Sequence, residues 1–339
     1  MERNNDFFLA VILIFYYYCF NFIGGFKMEI RSEKRTKTKK KKWVKVLLSI
    51  FILLFLSISV YSFSVYNSLT NAVDTMHEPL DRKKSEKRES DLSLKGSDPF
   101  SVLLLGVDQR ANDRGRSDTM IVLTVNPKQN SVKMLSIPRD TRTTIIGKGK
   151  EDKINHAYAF GGVEMSMNTV ENLLDIPVDY YVQVNMEGFK DIVDAVGGVT
   201  VQNTLDFKFE GKHFTEGQLK LTGEDALKYS RMRKQDPRGD FGRQDRQKEI
   251  IRGVISEGAS LKSLTNYNDI FSALGSNVKT NLTFNEMVTI QSKYKSASKT
   301  IEQLHFNGAG GKINGIYYYN VPSEDLKMVQ DSFKAHLES

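Results

Sequence analysis

One stretch divides this chain before anything else about it is known. Val46 to Tyr66, VLLSIFILLFLSISVYSFSVY, carries no charge and is long enough as an α-helix to cross the hydrocarbon of a bilayer. A helix meets all its backbone hydrogen bonds internally, so the run predicts a membrane-spanning segment. Ten Lys/Arg stand before it between Lys27 and Lys45, against only Glu29 and Glu33. Cations on that flank predict a cytoplasmic amino-terminal side and a carboxyl-terminal part outside, the layout of a single-pass type II membrane protein. The run exceeds a signal-peptide core in length and no small-residue cleavage site follows it, so a retained anchor is expected.

The same cluster accounts for the basicity of the whole chain. The formal net charge is +7. Residues 27–45 hold +8 of it, and subtracting 8 from 7 leaves −1 for everything else. A basic tail of this kind is not a DNA-binding face spread over a domain, and no nucleic-acid partner is expected. A second apolar run, Phe7 to Phe26, precedes the cluster. Residues 1–27 are expected to be an upstream over-extension before Met28, or else an extra apolar segment; residues 28–45 are then the basic cytoplasmic tail. The single cysteine, Cys19, falls in that first run. From Met28 onward the chain has no thiol, which excludes disulfides, cysteine–zinc sites and thiol catalysis.

Beyond the anchor, residues 67–97 are highly charged with almost no aromatic residues and read as a flexible linker. Residues 98–339 suit one large domain. Phe100–Asp108, Thr119–Asn126 and Ser131–Pro138 are short, rich in branched residues and bounded by turn formers, so they predict strands. The last two are joined by the hairpin-length PKQN. Helices are expected after Gly161–Gly162, over MEGFKDIVDA, around TGEDALKYSRM, from Asp240 to Gly258, and near Phe284–Ser296 and Ser323–Leu337. Further strands are expected at DYYVQVN, VTVQNTL, TIEQLHF and GIYYYN. This order predicts an α/β fold in three layers, a central mixed β-sheet sandwiched by helices.

Chemistry-bearing residues gather at strand ends, where open α/β sheets bind ligands. Asp108 follows the first strand, Arg116 and Asp118 precede the second, and Arg139, Asp140 and Arg142 follow the third. The densest segment is SRMRKQDPRGDFGRQDRQ, from Ser230 to Gln247. A helix starting at Asp240 sets Asp240, Arg243, Gln244 and Gln247 on one face at i, i+3, i+4, i+7, with its amino-terminal N–H groups favouring an anion. Guanidiniums grip phosphate oxygens in pairs, and one or two carboxylates suit Mg²⁺ held jointly with phosphate. Several arginines, two or three aspartates and no histidine constellation describe a phosphate or pyrophosphate site. The chain lacks the P-loop, H-E-x-x-H, G-x-S-x-G and EF-hand patterns.

LLLGVDQR, GRSDTM, SIPRDT, KINHAYAFGG and SRMRKQDPRGDFGRQDRQ, in this order between residues 100 and 254, together resemble the LytR–CpsA–Psr family of cell-wall enzymes. The resemblance implies a phosphotransferase in a Gram-positive envelope. It would move a glycopolymer such as wall teichoic acid from an undecaprenyl-pyrophosphate carrier to peptidoglycan, forming a phosphodiester. Carried over by position, Asp108 and Asp118 hold Mg²⁺ (or Mn²⁺); Arg116, Arg139, Arg231, Arg233 and Arg243 bind the pyrophosphate with Gln247 assisting. Asp240 is the candidate base, with Arg243 beside it, and Arg110 and Lys153 stand at further matched positions. Tyr158, Phe160, Met165 and Met167 are the residues expected to line a slot for the lipid. Three other readings remain at this point: a polyprenyl-pyrophosphate phosphatase, a non-catalytic carrier- or wall-binding protein, and a membrane-bound transcription regulator.

Overall fold

The structure, a computed structural model, describes residues 37–82, 84–110, 113–258, 274–275 and 277–338. Readings that fall on residues 1–36 therefore lie outside the described residues. The chain divides into two compact units, Met1–Ser62 and Phe63–Ser339.

Helix α1 (Lys37–Met76) contains the predicted anchor. Its Trp43–Met76 portion is long and apolar enough to cross a membrane, with mean hydropathy 2.5 over an 18-residue window. The serines in it hide their hydroxyls by bonding back one turn: Ser49 Oγ donates to Lys45 O at 2.9 Å and Ser59 Oγ to Phe55 O at 2.8 Å.

The second unit is built on a six-stranded mixed sheet in the order β11-β6-β1-β2-β3-β12. Its strands are β1 (Phe100–Arg110), β2 (Asp113–Asn126), β3 (Ser131–Ser136), β6 (Tyr180–Asn185), β11 (Val278–Thr280) and β12 (Thr300–Leu304). β6 runs parallel to β1 and β12 parallel to β3; the other pairings are antiparallel. The carboxyl ends of β1, β3 and β6 and the amino end of β2 therefore meet at one edge of the sheet. Alternation along β1 sends Leu103, Leu105 and Val107 to one face and Val102, Leu104 and Gly106 to the other. On the first face they join α2 (His156–Leu174) and α7 (Ser323–Glu338) through Met167, Val170 and Phe333. On the second face lie α3 (Met186–Ala195), α4 (Gly223–Arg231), α5 (Asp240–Gly258) and α6 (Phe284–Lys293). These are the expected three layers.

Smaller ribbons attach to this frame: β4 (Arg142–Ile145) with β5 (Lys150–Lys153), β7 (Val199–Asn203) with β10 (Gly217–Leu221), β8 (Phe207–Phe209) with β9 (Lys212–Phe214), and β13 (Ala309–Ile313) with β14 (Ile316–Asn320). The strand at VTVQNTL thus pairs outside the central sheet, where Val199, Val201, Phe214 and Tyr229 form a second core.

Two details depart from the sequence reading. α2 starts before the glycine pair and is broken at it. Gly162 adopts φ 68°, ψ −150°, a conformation open only to a residue without Cβ. The described part of 67–97 is docked rather than free. Arg88 clamps both oxygens of Asp179 at 2.7 Å, and Arg82 meets Glu171 at 2.6 Å and Val178 O at 2.7 Å. Composition registered these arginines as solvated charge because their partners stand about 90 positions away.

Candidate active site

The catalytic candidates gather at the sheet edge named above. Asp118 lies near the start of β2, and Arg139 follows β3; antiparallel pairing of the two strands brings Arg139 Nη1 to 2.7 Å from Asp118 Oδ1. Burial alone lowers the pKa of Arg139, but the hydrogen bond and charge of Asp118 outweigh it, so the guanidinium is held above its usual value. Asp140 takes Lys153 at 2.7 Å and stands 3.9 Å from Arg139 Nε.

From the opposite side, the amino-terminal turn of α5 supplies the rest. Arg243 Nη2 stands 2.9 Å from Asp240 Oδ1 and 3.4 Å from the backbone oxygen of Asp118. Gln244 Nε2 donates to Asp240 Oδ2 at 3.0 Å, and Gln247 Oε1 accepts from the Thr119 hydroxyl at 3.1 Å. Arg233, in the loop before the helix, approaches Asp240 Oδ1 at 3.7 Å. The predicted face of Asp240, Arg243, Gln244 and Gln247 thus looks onto Asp118 and Thr119. Sequence reasoning missed Thr119; its position next to Asp118 at a strand start was the available clue.

Arg243 is the electrostatic focus. It is 8% exposed, and its Nε has no hydrogen-bond partner, nor has Asp240 Oδ1 a hydrogen bond beside its ion pair. Burial lowers its pKa, joined by Arg139 and Arg233, while Asp240 and Asp118 raise it without making up the difference. Three guanidiniums therefore gather around two carboxylates, Asp118 and Asp240, which leave one positive charge over, and an added anion would relieve it.

Other predicted residues stand as follows. Arg116 is exposed on β2, and the backbone register sets Asp108 opposite it. The side chains of Asp108 and Arg110 lie outside the described residues. Arg231, at the end of α4, has Glu210 at 3.6 Å. Two arginines of the dense segments serve the fold: Arg142 pairs with Glu151 across the β4–β5 ribbon, and Arg246 is buried with Asp236 at 2.5 Å against the stacked Phe207 and Tyr229 rings. Among the described residues no three His, Cys, Asp or Glu converge as a metal cage.

Beside the cluster, on the second face of the sheet, opens an apolar cavity of about 260 Å³. Leu104, Ile121, Val182, Phe189, Leu227 and Ile251 wall it, and its rim includes Arg231 and Gln247. Tyr158, Phe160, Met165 and Met167 do not line it. Tyr158 and Met167 belong to the core on the first face, Phe160 is exposed beneath Lys148 and Lys150, and Met165 packs its side chain against Gly161. Helical spacing could not show which face of the sheet α2 would cover.

Known proteins share this sequence and fold. The model of the LytR_cpsA_psr family matches residues 63–335. The polyisoprenyl-teichoic acid–peptidoglycan teichoic acid transferase TagU of Bacillus subtilis (strain 168) is 51% identical over 309 residues, covering 91% of this chain and all of that protein. The crystal structure of B. subtilis TagU aligns at TM-score 0.59 with 52% identity, over 71% of this chain and 98% of that one. A solved structure of TagT with bound octaprenyl pyrophosphate lipid aligns at TM-score 0.62 and 32% identity, over 78% of this chain and all of that one. With the model spanning most of the chain and a relative this similar along its whole length, the chain belongs to the LytR_cpsA_psr family.

Proposed function

We propose that this chain is a membrane-anchored transferase that moves a teichoic acid from a polyisoprenyl-pyrophosphate carrier onto peptidoglycan. The observation that carries the reading is a shared border: Arg231 and Gln247 line an apolar cavity, and Gln247 bonds Thr119, next to Asp118, whose backbone oxygen meets the buried Arg243 of the guanidinium cluster. A ligand suited to both parts has a long apolar tail and a compact polyanionic head. TagT with bound octaprenyl pyrophosphate lipid is a relative holding such a molecule. The undecaprenyl chain named above is the carrier proposed here.

Arg139, Arg233 and Arg243, with Arg231 at the rim and Arg116 beyond, would bind the pyrophosphate oxygens in pairs. Asp240, held by Gln244 and Arg243, would take the proton of an acceptor hydroxyl. The hydroxyl oxygen bonds to the glycan-side phosphorus, the P–O bond to the outer phosphate breaks, and polyprenyl phosphate leaves. Asp118, with Asp108 assigned by resemblance, would hold Mg²⁺, which suits an all-oxygen set of one or two carboxylates completed by phosphate oxygens. When bound, the ion would neutralise charge developing on the leaving phosphate. The cationic flank before the anchor supports an orientation with the domain outside the cell, where carrier and acceptor would lie.

Product analysis tests this reading. The full chain in vesicles, given lipid-linked polymer, peptidoglycan and Mg²⁺, should yield polymer covalently joined to peptidoglycan. Phosphate release without joining would make it a phosphatase.

A further inference from the structure

The motif GAGGKINGIYYYN, from Gly308 to Asn320, takes no part in the cluster, yet folds directly against it. Its two strands, β13 and β14, are joined by Asn314–Gly315, both at positive φ (50° and 80°), the tight turn that makes a stiff hairpin. The hairpin is bolted to the loop carrying Arg139. Tyr319 N donates to Asp140 O at 2.8 Å, and Thr141 bridges Tyr319.

Tyr317 and Tyr319 project from the same side of β14, and the glycines exist to let them lie down. A Cβ on Gly308 would meet the Tyr319 ring at 2.8 Å, and one on Gly310 would meet the Tyr317 hydroxyl at 2.4 Å and its ring at 2.8 Å. Both rings therefore cross bare backbone. Tyr319 is locked by its hydroxyl, which donates to Phe306 O at 2.8 Å and accepts from Gly308 N at 2.7 Å. Phe241, the residue after Asp240, extends the row, with its ring 6.0 Å from that of Tyr319 at 68°. The middle ring is buried, while Tyr317 and Phe241 stay 43% and 41% exposed. Scattered exposed aromatics mean little. A row held on glycine backbone, anchored at the loop of Arg139 and ending beside the candidate base, is a built surface.

We propose that this row is the acceptor-binding arm, on which sugar rings of the peptidoglycan glycan stack so that a hydroxyl reaches Asp240. Flat rings with exposed faces suit the apolar C–H faces of pyranoses, and Phe241 sits on the acceptor's side of the transfer because Asp240 does. The proposal rests on the transferase reading but is separable from it.

The test uses the full chain in vesicles and two readouts, transfer kinetics and cosedimentation with purified peptidoglycan. Tyr317→Ala and Phe241→Ala should each raise the half-saturating peptidoglycan concentration roughly tenfold, the scale of one lost aromatic contact, with the donor's unchanged. Tyr317→Phe should behave as the parent, and Gly310→Ala, which keeps every aromatic ring but lifts Tyr317, as Tyr317→Ala. A shift in donor half-saturation instead would assign the row to the donor's sugars and overturn the proposal, as would no shift in either. If the parent transfers nothing, the transferase reading fails, and cosedimentation alone decides the arm: parent bound and Tyr317→Ala released supports it, and no difference overturns it.

Discussion

Arg243 and Asp240 stand three residues apart on one helical turn, Nη2 to Oδ1 at 2.9 Å, and the pair is left incomplete by its surroundings. Arg243 Nε is buried without a hydrogen bond, and that burial, with Arg139 and Arg233 adding to it, depresses its pKa. An arginine so placed is held ready for a ligand rather than satisfied by the fold. Arg243→Ala should cut transfer roughly 10²–10³-fold, the usual loss for one donor to developing negative charge. The melting temperature should stay within a few degrees, since relief of the other guanidiniums offsets the exposed Asp240. Initial rates and a thermal melt on the same preparation check both halves.

Arg246, three residues on, should behave oppositely. It is buried in an ion pair with Asp236 at 2.5 Å and bonds the backbone oxygens of Tyr229 and Met232. Arg246→Ala leaves the buried Asp236 only Arg238, with its exposed guanidinium 3.7 Å away and its backbone N–H, and should cost about 3 kcal/mol. The urea midpoint measures it. Gly242→Ala should break the same pair, because its Cβ would fall 1.7 Å from Asp236 Oδ2.

The apolar cavity makes a prediction that separates tail from head. Leu227→Trp, on the α4 wall, should weaken binding of a long polyprenyl pyrophosphate about tenfold or more. Inorganic pyrophosphate, which needs only the guanidiniums, should bind as before. Equal loss of both would place the lipid elsewhere.

His336 supplies a pH dependence unrelated to catalysis. Its ring is buried between the hydroxyls of Thr124 (2.8 Å from Nδ1) and Ser131 (2.9 Å from Nε2). Burial, aided by Lys133 and opposed by Glu302, lowers its pKa. The unfolded chain takes up this proton near pH 6.5 and the folded chain only at lower pH. Its contribution to stability is thus present above about pH 6.5 and lost as pH falls through the folded value. Melting temperature measured from about pH 7.5 to 5 should fall more steeply for the parent than for His336→Gln.

Much of the site was legible because it follows local rules. α5 begins at Asp240, as the Pro237–Gly239 loop implies, so a period of 3.6 set four polar residues on one face, and strand ends collected Asp118 and Arg139. Arg246 has the same composition but lies off that face, and only tertiary packing shows that Asp236 claims it. The residues expected to line a lipid slot fall away from the apolar cavity for a similar reason. The cavity's walls come from β1, β2, β6, α3, α4 and α5, and periodicity along α2 reveals a buried stripe without saying what it is buried against. Residues 67–97 look like solvated linker until Glu171 and Asp179 arrive from distant segments.

The central claim is that polymer transfer takes place at the Asp118–Arg139–Arg243 cluster. The most direct measurement is covalent attachment of labelled lipid-linked polymer to peptidoglycan by the full chain in vesicles, with and without Mg²⁺, for the parent and Asp118→Ala. The account predicts Mg²⁺-dependent attachment by the parent and its loss in the variant at an unchanged melting temperature. Undiminished attachment by folded Asp118→Ala would contradict it.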